Sequence, residues 1–276
     1  MSIFSAAPIL DVSETEPTTE DRSSEFVPEI NRVAKIVTIH QPNYIPWIGL
    51  FSKVSSADCL IIYDKAQYEK NSVINRNKIR TDKGFAYLTV PVGKYHTETK
   101  ISEITLPQEN DWKREHWRKI KANYAKAPFF KDYAGFFEVL FQRDFRYLSE
   151  LNERILLYLL SCFEISVDVV RTSQLTVDPS LSKTDLMLAY LKKVGAGVYI
   201  SGPSGRNYLE TEGFPQNNIA LKFFKFQHPV YPQRYPGFQP NMSALDLLFN
   251  VGPSSGAIVK RSASVEDYPS VMRGEK

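Results

Sequence analysis

The sequence predicts an α/β protein with a Rossmann-like βαβ core, and three observations carry that prediction. The β-branched run Ile36-Val37-Thr38-Ile39 reads as a buried strand. An apolar stretch from about Trp47 to Ser55 reads as a helix. Cys59-Leu60-Ile61-Ile62-Tyr63 reads as a second buried strand that ends at Asp64. Strand, helix and strand this close together imply parallel pairing through a right-handed crossover.

Between the first strand and the helix runs His40-Gln41-Pro42-Asn43-Tyr44-Ile45-Pro46-Trp47. Pro42 and Pro46 fix φ and remove two backbone donors, so neither strand nor helix continues through them. What remains is a stiff loop at a strand's end displaying His40, Gln41, Asn43, Tyr44 and Trp47. In open α/β sheets such loops line the ligand crevice. The competing account is a rigid connector whose aromatics fill core. Four different hydrogen-bonding side chains within residues 40–44 exceed what packing requires, and this favours a site.

Later elements follow from local signals. Asn75–Arg80, a turn at Asp82-Lys83-Gly84 and the return run Phe85–Val90 predict a hairpin that Pro91 ends. Residues 101–106 suggest another short strand. Residues 110–163 predict a helical section: Asp111 is placed to cap a helix bearing Trp112 and Trp117, Ala127-Pro128 interrupts, and an amphipathic segment runs from about Asp144 to Phe163. Val167–Thr172 reads as a strand. Ser182-Lys183-Thr184-Asp185 is a capping-box pattern before a helix over 185–194, closed by Gly195. Gly197–Ile200 reads as a strand, and a last helix over about 243–250 is expected to be capped by Ser243 with Asp246. The expected organisation is a disordered acidic tail over 1–34, one α/β domain over 35–252 and a loose polar segment over 253–276.

Charge and cysteine usage narrow the function classes. Residues 1–34 carry seven carboxylates against Arg22 and Arg32, so the formal charge of +3 conceals a body of +8 over residues 35–276. A moderately basic body suits an anionic partner such as a phosphorylated substrate, a nucleotide or RNA, although basic bodies are common. Cys59 and Cys162 each lie in an apolar run and read as buried free thiols, which fits a reducing compartment. No apolar stretch reaches membrane-spanning length, and the N-terminus lacks the basic-then-apolar plan of a signal peptide. The expectation is a soluble cytoplasmic protein with no membrane partner. The four histidines are dispersed, HExxH is absent and no Cys/His spacing suits zinc, so no metal centre is predicted. Oligomeric state is not legible.

Three further clusters join the His40 loop as candidates. Asp64 sits at a strand end, where it can act as a general base or hold an amine. Beyond it stand Gln67, Tyr68 and Asn71, then Arg76, Asn77 and Lys78, the two cations suited to phosphate or carboxylate. A solvated polar hairpin is the plainer account. Ser201-Gly202-Pro203-Ser204-Gly205, followed by Asn207 and Tyr208, can present backbone N–H groups to an anion, but it has neither GxGxxG nor the Walker lysine. His228 and Tyr231 lie in a proline-stiffened loop. His228 is a candidate acid/base or a satisfied loop histidine. Ser243 and Asp246 are better explained as a helix cap than as catalysts.

At these residues the chain resembles the WbqC-like protein family. The matching signatures are HQPNYIPWIGLFSK at 40–53, Asp64 with Gln67, Tyr68 and Lys70, Asn75-Arg76-Asn77, SGPSGRNYL at 201–209, HPVYPQ and PNMSALDLLFN. Members are associated with surface-polysaccharide and small-molecule biosynthesis. The resemblance implies modification of an amine, for instance acyl or aminoacyl transfer to a nucleotide-linked amino sugar. In that reading His40, Asp64 or His228 moves a proton. Gln41, Asn43, Gln67 and Asn77 orient the substrate, and Arg76 and Lys78 hold an anionic group. No tightly bound cofactor is expected, and the donor is an acyl-CoA, an adenylate or an aminoacyl-tRNA. The basic helix Lys113–Lys119 would suit the phosphates of a tRNA. A non-catalytic sugar- or nucleotide-binding protein is the alternative. A nucleotidyltransferase-like enzyme is another, against which Pro46-Trp47-Ile48-Gly49 stands where HxGH would fall.

Overall fold

The computed structural model describes residues 34–107 and 111–268, so the expected acidic tail, Ala34 aside, lies outside the described residues. Strands β1 (Ile36–His40), β2 (Cys59–Ile62), β5 (Asp168–Arg171), β6 (Val198–Ser201), β7 (Ala220–Phe226) and β8 (Ala263–Asp267) form one sheet in the order β5-β2-β1-β6-β7-β8. All neighbours are parallel except β7 and β8. Counted along the chain, the sheet strands run 3-2-1-4-5-6, the doubly wound Rossmann order. The order reverses between β1 and β6, so their carboxyl ends open a crevice there.

The sheet buries both faces, and alternate residues of one strand serve different layers. Leu60 and Ile62 pack on the side of α1 (Ile48–Val54), while Cys59 and Ile61 pack on the side of α5 (Lys183–Lys193) and α6 (Gly213–Gln216). The α1 layer is the larger. It includes the antiparallel hairpin β3 (Arg76–Thr81)/β4 (Gly84–Thr89) and the helical section α2 (Trp112–Tyr124), α3 (Phe130–Leu140) and α4 (Leu148–Cys162). It is completed by α7 (Ala244–Val251) and α8 (Ser255–Arg261). Among the described residues no helix is long and apolar enough to cross a membrane.

Several local expectations are corrected. Residues 253–268 are not loose: they form α8 and edge strand β8. Gly256 allows α8 to lie against the Phe163 carbonyl, where a Cβ would come within 2.4 Å. The polar look of β8 has a purpose, because Asp267 and Glu266 pair with Lys222 and Lys225 of the neighbouring strand. Those lysines also interrupt the apolar pattern of β7, which is why that strand is inconspicuous in the sequence. Residues 101–103 form a 3-10 turn instead of a strand. Asp111 and Ser182 occupy N-cap positions but make no side-chain cap bond, and Asp111 instead pairs with Arg114.

The cap assigned to Ser243 and Asp246 is also absent. Asp246 is fully buried and accepts hydrogen bonds from the Tyr124 hydroxyl (3.0 Å), the Tyr231 hydroxyl (3.0 Å) and Gln233 Nε2 (2.6 Å). It is the acceptor at the centre of a buried polar network, a role that local spacing does not reveal.

Candidate functional site

At the strand-order reversal lies a cavity of about 600 Å³, of the size that takes a small molecule. From the carboxyl end of β1 it is lined by Ile39, His40 and Gln41, and from the end of β6 by Gly202, Pro203 and Ser204. Aromatic rings of Trp47, Tyr63, Tyr199, Tyr208, Phe224 and Phe226 supply much of the remaining wall, with Lys53 and the exposed Glu69 as its charged members.

The His40 loop is held in shape from several sides. Asn152 Nδ2 donates to the carbonyls of Pro42 (3.1 Å) and Ile74 (2.8 Å), and Asn77 Nδ2 donates to the Ile45 carbonyl (2.7 Å). These bonds hold Ile45 at φ +40°, a conformation that costs a β-branched residue about 1–3 kcal/mol. His40 Nδ1 lies 2.8 Å from the Gln41 carbonyl. A carbonyl only accepts, so Nδ1 carries the proton and Nε2 keeps its lone pair. Burial, reinforced by the neighbouring Lys53 charge, pushes the imidazole down to about 3, against the opposing effect of the Gln41 bond. His40 is therefore neutral at pH 7.

Lys53 and Glu69, the charged cavity residues, and the rings of Tyr63, Tyr199, Phe224 and Phe226 are what sequence reasoning missed. Every residue of α1 is buried, and Lys53 stands at its last turn with Nζ donating to the Ile39 carbonyl at 2.9 Å. Burial lowers this amine to about 7. Among the described residues no carboxylate pairs with it. The available signal was a lysine inside a helix otherwise lacking charge.

A second cavity of about 380 Å³ lies on the hairpin side, lined by Asn71, Arg76, Asn77, Lys78, Tyr87 and Asn241 among others. Trp47 is common to both cavities. Its ring covers Gly49, where an added Cβ would lie 2.3 Å from the indole. Gly49→Ala is therefore expected to displace Trp47 and reshape both cavities, read as a shift in tryptophan emission at an unchanged far-UV circular dichroism spectrum.

The predicted residues thus fall into three groups. His40, Gln41, Trp47, Ser204 and Tyr208 line the first cavity, and Asn71, Arg76, Asn77 and Lys78 line the second. The others serve structure or the surface. Asp64 is buried, and its carboxylate accepts from Thr172 Oγ1 (2.7 Å), the Ser173 N–H (2.8 Å) and Ser173 Oγ (2.5 Å), which ties β2 to the turn after β5. It is not among the lining residues of either cavity. His228 accepts from the Asn241 N–H at Nε2 and donates from Nδ1 to the Pro229 carbonyl, so both nitrogens are spent on its own loop. Tyr44 is buried against His116 Nδ1 (2.8 Å), Tyr231 binds Asp246, and Asn43 and Tyr68 are core residues. Ser201 and Gly205 pack together, with Ser201 Oγ filling the space that a Cβ on Gly205 would need. Gln67 donates to the Thr97 carbonyl, and Asn207 is exposed.

The WbqC-like protein family matches residues 41–258, a span holding most of both cavities. The chain belongs to the WbqC-like protein family. It is also 37% identical over 223 residues to the Uncharacterized protein Rv1507c of Mycobacterium tuberculosis, covering 79% of this chain and 94% of that one. No solved structure matches the chain. His40 stands immediately before the first residue of the WbqC-like match, while Lys53, Glu69, Arg76 and Lys78 fall inside it.

Proposed function

We propose that this WbqC-like protein is a transferase that forms an amide on an amine-bearing small molecule, with the chemistry in the cavity at the strand-order reversal. The observation that carries this reading is a neutral His40 with an unprotonated Nε2, on a cavity wall next to Lys53. Amide formation from an activated acyl donor needs a group that removes the amine's proton as the C–N bond forms, and positioning supplies much of the remaining acceleration. His40 Nε2 is the proton acceptor in this reading. Its basicity rises when an anionic donor offsets the charge of Lys53, so the base is strengthened in the loaded site. Gln41 and Ser204 orient the substrate, the aromatic wall covers its apolar faces, and Arg76 and Lys78 hold an anionic portion. An acyl-CoA, an adenylate or an aminoacyl-tRNA would each supply the acyl group, the acyl–S or acyl–O bond breaking as CoA thiol, AMP or the free tRNA leaves.

The test is turnover of purified protein with amino sugars or their nucleotide-linked forms and these donors, followed by mass spectrometry of the amide. His40→Ala is expected to lower the rate by about 10²–10⁴-fold, with its urea midpoint measured in parallel. Full activity in His40→Ala would remove the assignment.

A second reading is a non-catalytic sugar- or nucleotide-binding protein. It is favoured by the aromatic wall and by Asp64 and His228 being occupied with structural bonds. Ligand binding without product from any donor would select it.

A further inference from the structure

The outward face of the β3/β4 hairpin carries cations and aromatic rings in a fixed order. Register pairs Arg76 with Thr89 and Lys78 with Tyr87, with Phe85 two residues before Tyr87, so these side chains share one face, while Ile79 and Leu88 on the other face are core. Phe85 and Tyr87 are 45% and 41% exposed, unusual for rings at the surface. Arg76 lies 4.4 Å from the Tyr87 ring centre, and Lys78 lies 4.5 Å from that of Phe85. Among the described residues neither cation has an ion-pair partner.

These two cations open onto the second cavity, whose lining contains no carboxylate. Its polar complement includes Asn71 and Asn241, both in the left-handed region at φ +59°. Trp47 and Tyr87 add flat walls. The cavity is also pre-organised. The Lys78 carbonyl accepts from the Ser243 N–H (2.9 Å), Trp47 bridges to Ser243, and Asn77 ties β3 to Ile45. Segments 45–47, 76–78 and 241–243 are thereby fastened together, so binding costs little ordering.

We infer that this second cavity binds a nucleoside diphosphate, its phosphates on Arg76 and Lys78 and its base against the aromatic wall of Trp47 and Tyr87. Two unpaired cations without a nearby carboxylate select an anion of at least two charges, and the flat rings select a planar group beside it. An extended RNA fits less well. In the basic helix α2 that would continue its track, Lys113, Arg114, Lys119 and Lys121 are paired with Asp144, Asp111, Glu115 and Glu138, which leaves little free positive charge along that track. The inference deepens the proposed transfer and rests on it only for which reactant carries the nucleotide. Binding is read without turnover, so either idea can fail alone.

The test is calorimetric titration of the full chain with UDP, ADP, inorganic pyrophosphate and a short single-stranded RNA, at 50 and 300 mM NaCl. UDP or ADP is expected to bind, more weakly at the higher salt, and more tightly than pyrophosphate. Arg76→Gln and Lys78→Gln are each expected to weaken nucleotide binding by about tenfold or more. Lys222→Gln, on the ion-paired sheet edge, is expected to leave it unchanged. Urea midpoints of the variants check their folding, which these partly exposed positions should not disturb. Absence of nucleotide binding would overturn the inference, as would wild-type affinity in both hairpin variants. Pyrophosphate binding as tightly as the nucleotides would overturn the role of the base. RNA binding with no mononucleotide binding would overturn the inference in favour of an RNA partner.

Discussion

Replacing Asp246 with alanine is expected to cost about 3–5 kcal/mol of stability, because it takes the acceptor from two buried tyrosine hydroxyls and from the half-buried Gln233 amide. The hydroxyls of Tyr124 and Tyr231 and Nε2 of Gln233 all donate to this carboxylate. The Tyr124 oxygen in turn accepts the Arg80 N–H at 2.8 Å, which links α7 to β3. Gln233 continues the network by exchanging hydrogen bonds with the backbone of Gln239 in both directions. Arg80 closes it from the other side, its guanidinium donating to the carbonyls of Thr81, Gly84, Pro236 and Gly237. Removing the acceptor therefore loosens the 231–241 loop, which carries Asn241 of the second cavity. Asp246→Asn should lie between wild type and alanine, since the amide oxygen still accepts while its NH₂ opposes the other donors. Urea unfolding checks both variants, and an alanine variant with an unshifted midpoint would dismiss the network as a stabilising element.

The second large effect is acid sensitivity. His116 is buried in α2, accepts from the Tyr44 hydroxyl, and is bonded to the Thr89 backbone. Burial lowers it to about 4, and the same cause holds His40 near 3. Each folded value lies below the ordinary histidine value of 6.5, so the unfolded chain binds more protons across the interval. Stability from these groups is then complete above pH 6.5 and is lost as pH falls through about 4 and about 3. His116 accounts for on the order of 3 kcal/mol of that loss and His40 for on the order of 5. Asp246 works in the opposite sense. Burial raises its folded value, so its contribution is greatest in acid and is lost as pH rises through that value. A His116→Gln variant separates the two: the stability difference between wild type and variant should move against wild type as pH falls from 6.5 to 4. Lys53 adds an alkaline counterpart, since a folded value of about 7 makes stability grow as pH rises from there towards 10.5. Urea midpoints from pH 4 to 9 check these slopes, and a difference between wild type and His116→Gln that is flat between 6.5 and 4 would refute the buried neutral imidazole.

The α/β class was legible because β1, α1 and β2 declare themselves locally. β-branched runs, two prolines and an apolar helix each act over a few residues. The His40 loop was legible for the same reason, since prolines fix backbone shape wherever they stand. Edge strand β8 was not, because its polar residues make sense only opposite the lysines of β7.

The sequence by itself determined the parallel core, the stiff His40 loop and the presence of Arg76 and Lys78 on a hairpin. Only the tertiary structure decided which polar groups remain available for chemistry. Asp64 and His228 stand in segments that signal function, yet their lone pairs are taken by Thr172, Ser173 and Asn241, residues that folding brings to them. Lys53 looks ordinary in the chain, and burial against the end of β1 alone makes it a depressed amine facing a cavity. A side chain's reactivity depends on solvation and on its hydrogen-bonding neighbours, and both are set by distant residues once the chain has folded.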